Sequence, residues 1–302
     1  MAKKVLIIDE VHPSLAADLR SLGFEVDEQP QIHPNEVQLA GYQGLVLRSK
    51  MSLGAKELEG STLEFIARAG AGLDLIDEAY CSANQIAVFS ANEGNRDAVA
   101  EHVIGQLITL ARKINTADTQ VRNGIWDREG NRGWELQGKT LGIIGYGNMG
   151  QSLAKKLQGF DMNILAYDKY APATHALKDI FEQADILSLH VPLTDETKEM
   201  VNSAFIEQFK KPIVLINSSR GTVCSLEALA AGLSSSKLRG LALDVLPNEK
   251  LATWTATEKT LFDQIASHPM TLFSPHVAGW TTESYWKIND ALIDKIKTHY
   301  QL

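Results

Sequence analysis

Short apolar runs bounded by turn residues open the chain at 5–8, 24–26, 45–47, 65–67 and 86–89, while 13–22 and 75–83 carry apolar residues at helical spacing. Strands that alternate with helical stretches predict a parallel sheet covered by helices. The stretch 29–35, with Pro30 and Pro34, reads as a loop. A second series predicts strands at 141–145, 163–167, 185–190, 213–217, 239–243 and 271–274, with helices between them. The fold class predicted is α/β, with two doubly wound parallel sheets of Rossmann-like and flavodoxin-like architecture.

Between the two series, 97–122 reads as one long helix whose Val99, Val103, Ile104, Leu107, Ile108 and Leu110 leave few polar faces. A plain core helix, a link between domains and a subunit interface would each bury it. The closing helical stretch, 283–300, follows a completed second sheet and is expected to return to the first domain. The organisation expected is a discontinuous substrate-binding domain, 1–95 with 283–302, and a nucleotide-binding domain, 96–282, joined by two crossings that form a hinge.

At 302 residues, 44% hydrophobic and 22% charged, the chain suits two α/β domains. Its net charge of −8, without any concentrated run of Lys and Arg, argues against nucleic acid and anionic membrane as partners. No apolar stretch approaches the ~20 residues of a membrane-spanning helix. The opening Val5-Leu6-Ile7-Ile8 is too short and too soon charged for a signal peptide. The two cysteines, Cys81 and Cys224, lie far apart without metal-ligand spacing, so no metal is expected and a reducing, cytoplasmic setting is.

A dinucleotide fingerprint follows the strand predicted at 141–145: Gly145, Tyr146, Gly147, Asn148, Met149 and Gly150 complete Gly-x-Gly-x-x-Gly before a helical pattern over 152–160. The first glycine permits the turn, the second lets backbone approach a pyrophosphate, and the third lets the helix pack on its strand. Asp168 ends the next strand, where its carboxylate would accept hydrogen bonds from the adenosine ribose and repel a 2′-phosphate, so NAD is expected over NADP. Four ionisable residues follow at the ends of later strands: Arg220, Asp244, Glu249 and His276. Arg220 at a strand end calls for an acid or an anionic substrate, and an ion pair with Asp244 is the plainer alternative. The other seven histidines, His102 among them, read as structural.

In chain order, Arg48-Ser49, the segment Arg68-Ala69-Gly70-Ala71-Gly72-Leu73-Asp74, Ala98 to His102, Gly138 to Gly145, Leu189 to Thr194, Asn217 to Gly221, Ala242 to Val245 and Ser274 to Gly279 resemble the motifs of D-2-hydroxyacid dehydrogenases. The resemblance runs from about 45 to 282 and implies that His276 is the general acid and base, Glu249 its carboxylate partner with Glu258 as fallback, and Arg220 the substrate clamp. Imidazole, with a reference pKa of ~6.5, can hold either protonation state near neutrality. Guanidinium suits the planar task of binding carboxylate and carbonyl together. The resemblance further implies substrate contacts from Arg48, Ser49 and the amides of Gly70, Ala71 and Gly72, and a nicotinamide carboxamide held by Asp244. It extends the cofactor shell to His190, Val191, Pro192, Thr197, Asn217, Ser218, Ser219, His276 and Gly279.

Trp126-Asp127-Arg128 resembles a segment of phosphoglycerate dehydrogenases whose arginine reaches a neighbouring subunit's substrate phosphate, which implies a homodimer and a role for Arg128 in substrate binding. Phosphoglycerate or a hydroxypyruvate- or glyoxylate-type acid is the expected substrate. An NADH-sensing, corepressor-like protein of the same fold is the alternative from another class. Formate dehydrogenases pair their histidine with glutamine, and Glu249 speaks against that reading. Trp280 stands where relatives often carry something smaller, so its indole is expected to limit the substrate's side chain. Trp280→Ala should broaden the range of 2-keto acids reduced; an unchanged substrate profile would dismiss this role.

Overall fold

A computed structural model describes residues 2–171 and 175–302. The chain divides into two compact units, Met1–Arg96 with Trp280–Leu302, and Asp97–Gly279. The first carries a parallel sheet of β1 (Lys4–Ile7), β2 (Glu25–Glu28), β3 (Gly44–Leu47), β4 (Phe65–Arg68) and β5 (Ala87–Phe89), in the order β2-β1-β3-β4-β5. Side chains alternate between its faces: Val5 and Ile7 join one core while Leu6 and Ile8 join the other. The helices Ser14–Ser21 and Thr282–Tyr300 cover one face through Leu15, Leu19, Ile288, Leu292 and Ile296. The terminal helix thus packs on the first sheet.

One helical expectation shortens. The helix predicted over 75–83 starts at Glu78, because the Asp77 carboxylate caps it by accepting from the Tyr80 amide at 2.9 Å. The preceding residues form a parallel bridge instead, Leu53 to Ile76.

The second unit holds β6 (Thr140–Ile144), β7 (Asn163–Tyr167), β8 (Ile186–Leu189), β9 (Ile213–Asn217), β10 (Leu238–Leu243) and β11 (Thr271–Phe273), all parallel in the order β11-β10-β9-β8-β6-β7. The chain moves outward to β7 on one side of β6 and returns to β8 on the other, so the β6–β8 seam is the topological switch point, the customary ligand crevice of open α/β sheets. The helix predicted over 97–122 is two helices, Asn92–Arg112 and Ile114–Arg122, broken where Lys113 takes a left-handed backbone (φ 52°). Val99, Val103, Leu107 and Leu110 of the first are buried against Leu141, Ile143 and Leu153, which makes it a core helix. The second buries no residue and exposes Ile114 and Val121. The helix predicted over 152–160 begins earlier, as Asn148–Lys156, and ends in the 3₁₀ turn Leu157–Phe160. Among the described residues, no helix is long and apolar enough to cross a membrane.

On the face of the second sheet away from the helix Asn92–Arg112, Phe181, Phe205 and Phe209 meet edge to face with ring centroids 5.0–5.7 Å apart. Phe209 is fully buried among them, so Phe209→Ala should cost about 3–5 kcal/mol. A urea-unfolding midpoint equal to that of the parent would contradict this.

Candidate active site

The β6–β8 seam is lined by the glycine turn. Gly145 has φ +91°, a left-handed backbone, and a Cβ added there would lie 2.4 Å from the His190 carbonyl oxygen. That contact seats the turn after β6 against the end of β8. The Tyr146 amide donates to Asp168 Oδ2 at 2.8 Å and the Tyr170 amide to Oδ1 at 2.8 Å, so Asp168 ties the turn to the end of β7. Gly147 is the N-cap of the helix Asn148–Lys156 and brings no side chain to its first amides. Nothing lies within 4 Å of where a Gly147 Cβ would sit. An uncapped helix start beside open space favours an anionic group.

Two orphaned polar atoms stand near this seam. His190 directs Nε2 at the Ser188 hydroxyl, 2.8 Å away, while Nδ1 is buried without a hydrogen-bond partner. Burial pushes the His190 pKa down to about 4, which keeps the ring neutral. The Ser218 hydroxyl, just past β9, is buried and unpartnered too. Unpaired groups of this kind call for a ligand or water. The open glycine cradle, the helix start and these two atoms together fit a dinucleotide.

Several residues expected around the cofactor shape their own loops. The Thr197 hydroxyl donates to the Pro192 carbonyl at 2.7 Å and accepts from the Thr194 amide at 2.8 Å, which folds the segment after Val191. Asn217 is buried and donates to the Arg220 carbonyl at 3.0 Å, while its Oδ1 accepts from the Ser219 amide at 3.0 Å and hydroxyl at 2.8 Å. These bonds close the turn that presents Arg220, whose Nη1 donates to the Ser219 carbonyl at 2.8 Å.

The next residue fixes what lies beside that turn. A Cβ on Gly221 would fall 2.0 Å from the Leu246 carbonyl carbon, so the backbone after Arg220 is packed directly on the backbone leading to Glu249. The Glu249 loop is braced further along, where Trp254 Nε1 donates to the Asn248 carbonyl at 2.7 Å and Trp254 packs edge to face on Phe262, which in turn contacts Phe273.

Glu249 meets His276, with Nδ1 2.9 Å from Oε1 and 3.1 Å from Oε2. Both side chains are about half exposed, 47% for His276 and 48% for Glu249. Glu258, the fallback partner, caps the helix Ala256–Ala266 instead, accepting from the Thr255 amide at 2.7 Å and hydroxyl at 2.8 Å. With Nδ1 turned to a carboxylate, the ring presents Nε2 for proton transfer. His276 itself has φ +54°, a conformation that costs an L-residue about 1–2 kcal/mol and must be held by its surroundings.

Asp244 supplies that hold. Its carbonyl accepts the His276 amide at 2.7 Å, and its carboxylate accepts the amides of Val277 at 3.0 Å and Ala278 at 2.9 Å and the Ser274 hydroxyl at 2.5 Å. The carboxylate is 0% exposed and turned onto the His276 loop. Both carboxylate oxygens thus take part in shaping that loop.

The candidate substrate residues of the first unit lie past β3 and β4. Asp9 Oδ2 accepts the amides of Arg48, Ser49 and Lys50 at 2.6, 3.0 and 3.1 Å, which curls the chain into a turn. The Arg48 guanidinium stacks over Trp280, 4.2 Å from the ring centroid, and Trp280 rests on Tyr285. Arg68 Nε donates to the Arg48 carbonyl at 3.1 Å. The Gly70 amide is taken by the Arg68 carbonyl at 2.8 Å, so the expected carboxylate-binding amides narrow to Ala71 and Gly72. Arg128 lies on the exposed turn after the helix Ile114–Arg122, two residues past Trp126, which is 79% exposed. Sequence gives Asp9 no role beyond its place at the end of a central strand, and it reaches Gly221 and Ser274 only as members of longer motifs.

Because a methyl on Gly147 meets no protein atom, Gly147→Ala should fold with unchanged stability yet bind NADH at least about tenfold more weakly, read by fluorescence titration. Equal NADH affinity would contradict the placement of the pyrophosphate.

Residues 104–278 match the family described as D-isomer specific 2-hydroxyacid dehydrogenase, NAD binding domain. A hydroxypyruvate reductase from Thermotoga maritima is 34% identical over 286 residues, covering 92% of this chain and 90% of that protein. D-3-phosphoglycerate dehydrogenase 2 of Saccharomyces cerevisiae is 30% identical over 93% of this chain, which spans only 63% of the yeast protein. The fold is shared with the crystal structure of D-lactate dehydrogenase from Aquifex aeolicus complexed with NAD and lactic acid, at a TM-score of 0.84 and 24% identity, covering 99% of this chain and 96% of that one. Glycine turn, strand-end histidine and sequence kinship converge: the chain belongs to the NAD-dependent D-2-hydroxyacid dehydrogenase family.

Proposed function

We propose that this protein interconverts a small D-2-hydroxy acid and its 2-keto acid, and that His276 moves the proton while Arg220 clamps the substrate. The observation that carries the proposal is the Glu249–His276 pair at 2.9 Å, beside the turn that presents Arg220. NAD held at the turn Gly145–Gly150 would supply the hydride acceptor for C2 in oxidation and, as NADH, the hydride donor in reduction. As the C2–H bond breaks in oxidation, the hydroxyl proton passes to His276 Nε2; in reduction Nε2 returns it to the forming alkoxide. Glu249 keeps the Nδ1 proton in place and stabilises the imidazolium that forms. The Arg220 guanidinium holds the substrate carboxylate and polarises the carbonyl. The Ala71 and Gly72 amides and Arg48 are proposed as further donors to the substrate's anionic end.

Asp168 sets the preference for NAD, since a 2′-phosphate there would face its charge. A hydroxypyruvate- or glyoxylate-type acid is favoured over phosphoglycerate, because the hydroxypyruvate reductase relative is 34% identical to this chain and the yeast phosphoglycerate dehydrogenase 30%. The exposed apolar side chains Ile114, Val121, Ile125 and Trp126 support a homodimer built on the segment 114–126, with Arg128 at its border. The buried, unpaired thiols Cys81 and Cys224 accord with a cytoplasmic location.

The test is NADH oxidation with hydroxypyruvate, phosphohydroxypyruvate, glyoxylate and pyruvate in turn, with His276→Ala as control. Turnover on hydroxypyruvate or glyoxylate, reduced at least about 100-fold in the variant, is the expected result. NADH binding without turnover on any of the four, or full turnover by His276→Ala, would overturn the proposal.

A further inference from the structure

The loop that carries His276 is tied to the core helix Asn92–Arg112 through a polar cluster. His102 Nε2 lies 2.9 Å from the Ser274 hydroxyl and 3.6 Å from Asp244 Oδ1, and Gln106 Nε2 lies 3.2 Å from the same hydroxyl. His102 and Gln106 are one helical turn apart and share a face. Gln106 is 4% exposed, Asp244 1%.

Hydrogen counting fixes the roles. The Ser274 hydroxyl has one hydrogen, which goes to Asp244 at 2.5 Å. Its oxygen can then only accept, so Gln106 must present its NH₂ and His102 must carry a proton on Nε2. With one hydrogen donated and two accepted, the Ser274 oxygen is saturated and cannot swing to another partner. The Gln106 amide oxygen is left buried and unpartnered, a cost borne in this orientation while the NH₂ serves Ser274.

We infer that His102 is a positioning residue for the reaction: by donating to Ser274 it locks the hydroxyl onto Asp244, and Asp244 in turn fixes the amides that follow His276 in its left-handed conformation. The inference rests on the reading of His276 as the proton-transferring group. Without the Nε2 donor, Ser274 can rotate and the Asp244 carboxylate loses its fixed plane. The Val277 and Ala278 amides then move with it, and with them the direction in which the imidazole points. A small misplacement of a proton-transfer group slows chemistry far more than it weakens binding.

His102→Leu removes the donor, and His102→Gln restores an N–H at similar reach. The measurement is single-turnover NADH oxidation with hydroxypyruvate in excess of its KM, or with whichever keto acid the panel above turns over fastest. It separates the rate constant, which reports geometry, from the amplitude, which reports the folded fraction. His102→Leu should lower the rate constant about tenfold with amplitude and NADH affinity unchanged, and His102→Gln should recover most of it. An unchanged rate constant, or loss of amplitude alone, would overturn the inference. Should His102→Leu not fold, Ser274→Ala removes the same link from the other side and must show the same fall in rate constant. His276→Ala measured alongside keeps the two questions apart, since a rate constant unchanged in that variant would instead overturn the role given to His276.

Discussion

The buried carboxylate of Asp244 is the constraint on which the reacting end of the second unit depends. A charge with no access to solvent is tolerable only when its oxygens are filled, and here they are filled by the Ser274 hydroxyl and the amides of Val277 and Ala278. Those amides directly follow a histidine in a backbone conformation that L-residues avoid. The energy that holds His276 in place thus comes from satisfying a buried charge at the end of the preceding strand, distant in sequence and adjacent in space. Gly221 does the complementary work for Arg220 and Glu249, since only an absent side chain lets their two backbones touch. Three strand ends, β9, β10 and β11, are thereby fused into one rigid edge that carries a cation, an acid and an imidazole.

The same sheet edge separates two tasks by topology. The β6–β8 seam offers a side-chain-free helix start and two unpartnered polar atoms, an arrangement suited to a long anionic cofactor. The β9–β11 end offers charged side chains on braced loops, an arrangement suited to a small anion and a proton. His190, kept neutral by burial at the seam, and His276, half exposed beside Glu249, are the same residue type in opposite settings.

Much of this was legible in the chain because it depends on local pattern. Each predicted strand has a counterpart within one or two residues, since a four-residue apolar run between turn signals leaves little choice. The glycine fingerprint was legible because a turn, a helix start and a strand follow one another in sequence. The pairing of His276 with Glu249 came from resemblance, and no periodicity could have supplied it across 27 residues. What stayed hidden depends on contacts far apart in sequence: the three amides gathered by Asp9, the Gly221 backbone contact, and the amides of the His276 loop gathered by Asp244. The break at Lys113 was missed because the apolar spacing of 97–122 continues through it, and only the exposure of Ile114 and Val121 shows that the second helix has no core to cover. The contact of His102 with Ser274 lies equally beyond local pattern. The partner hydroxyl lies 172 residues away.

The central claim is that Glu249 and His276 act as one unit in proton transfer. The most direct test is a double-mutant cycle on kcat for keto-acid reduction, with Glu249→Gln, His276→Ala and both together. If the two act as one, the double variant is as slow as His276→Ala alone, because the carboxylate has nothing left to hold. If the two losses multiply instead, Glu249 acts on the reaction by another route and the pair seen here is not the proton-transfer unit.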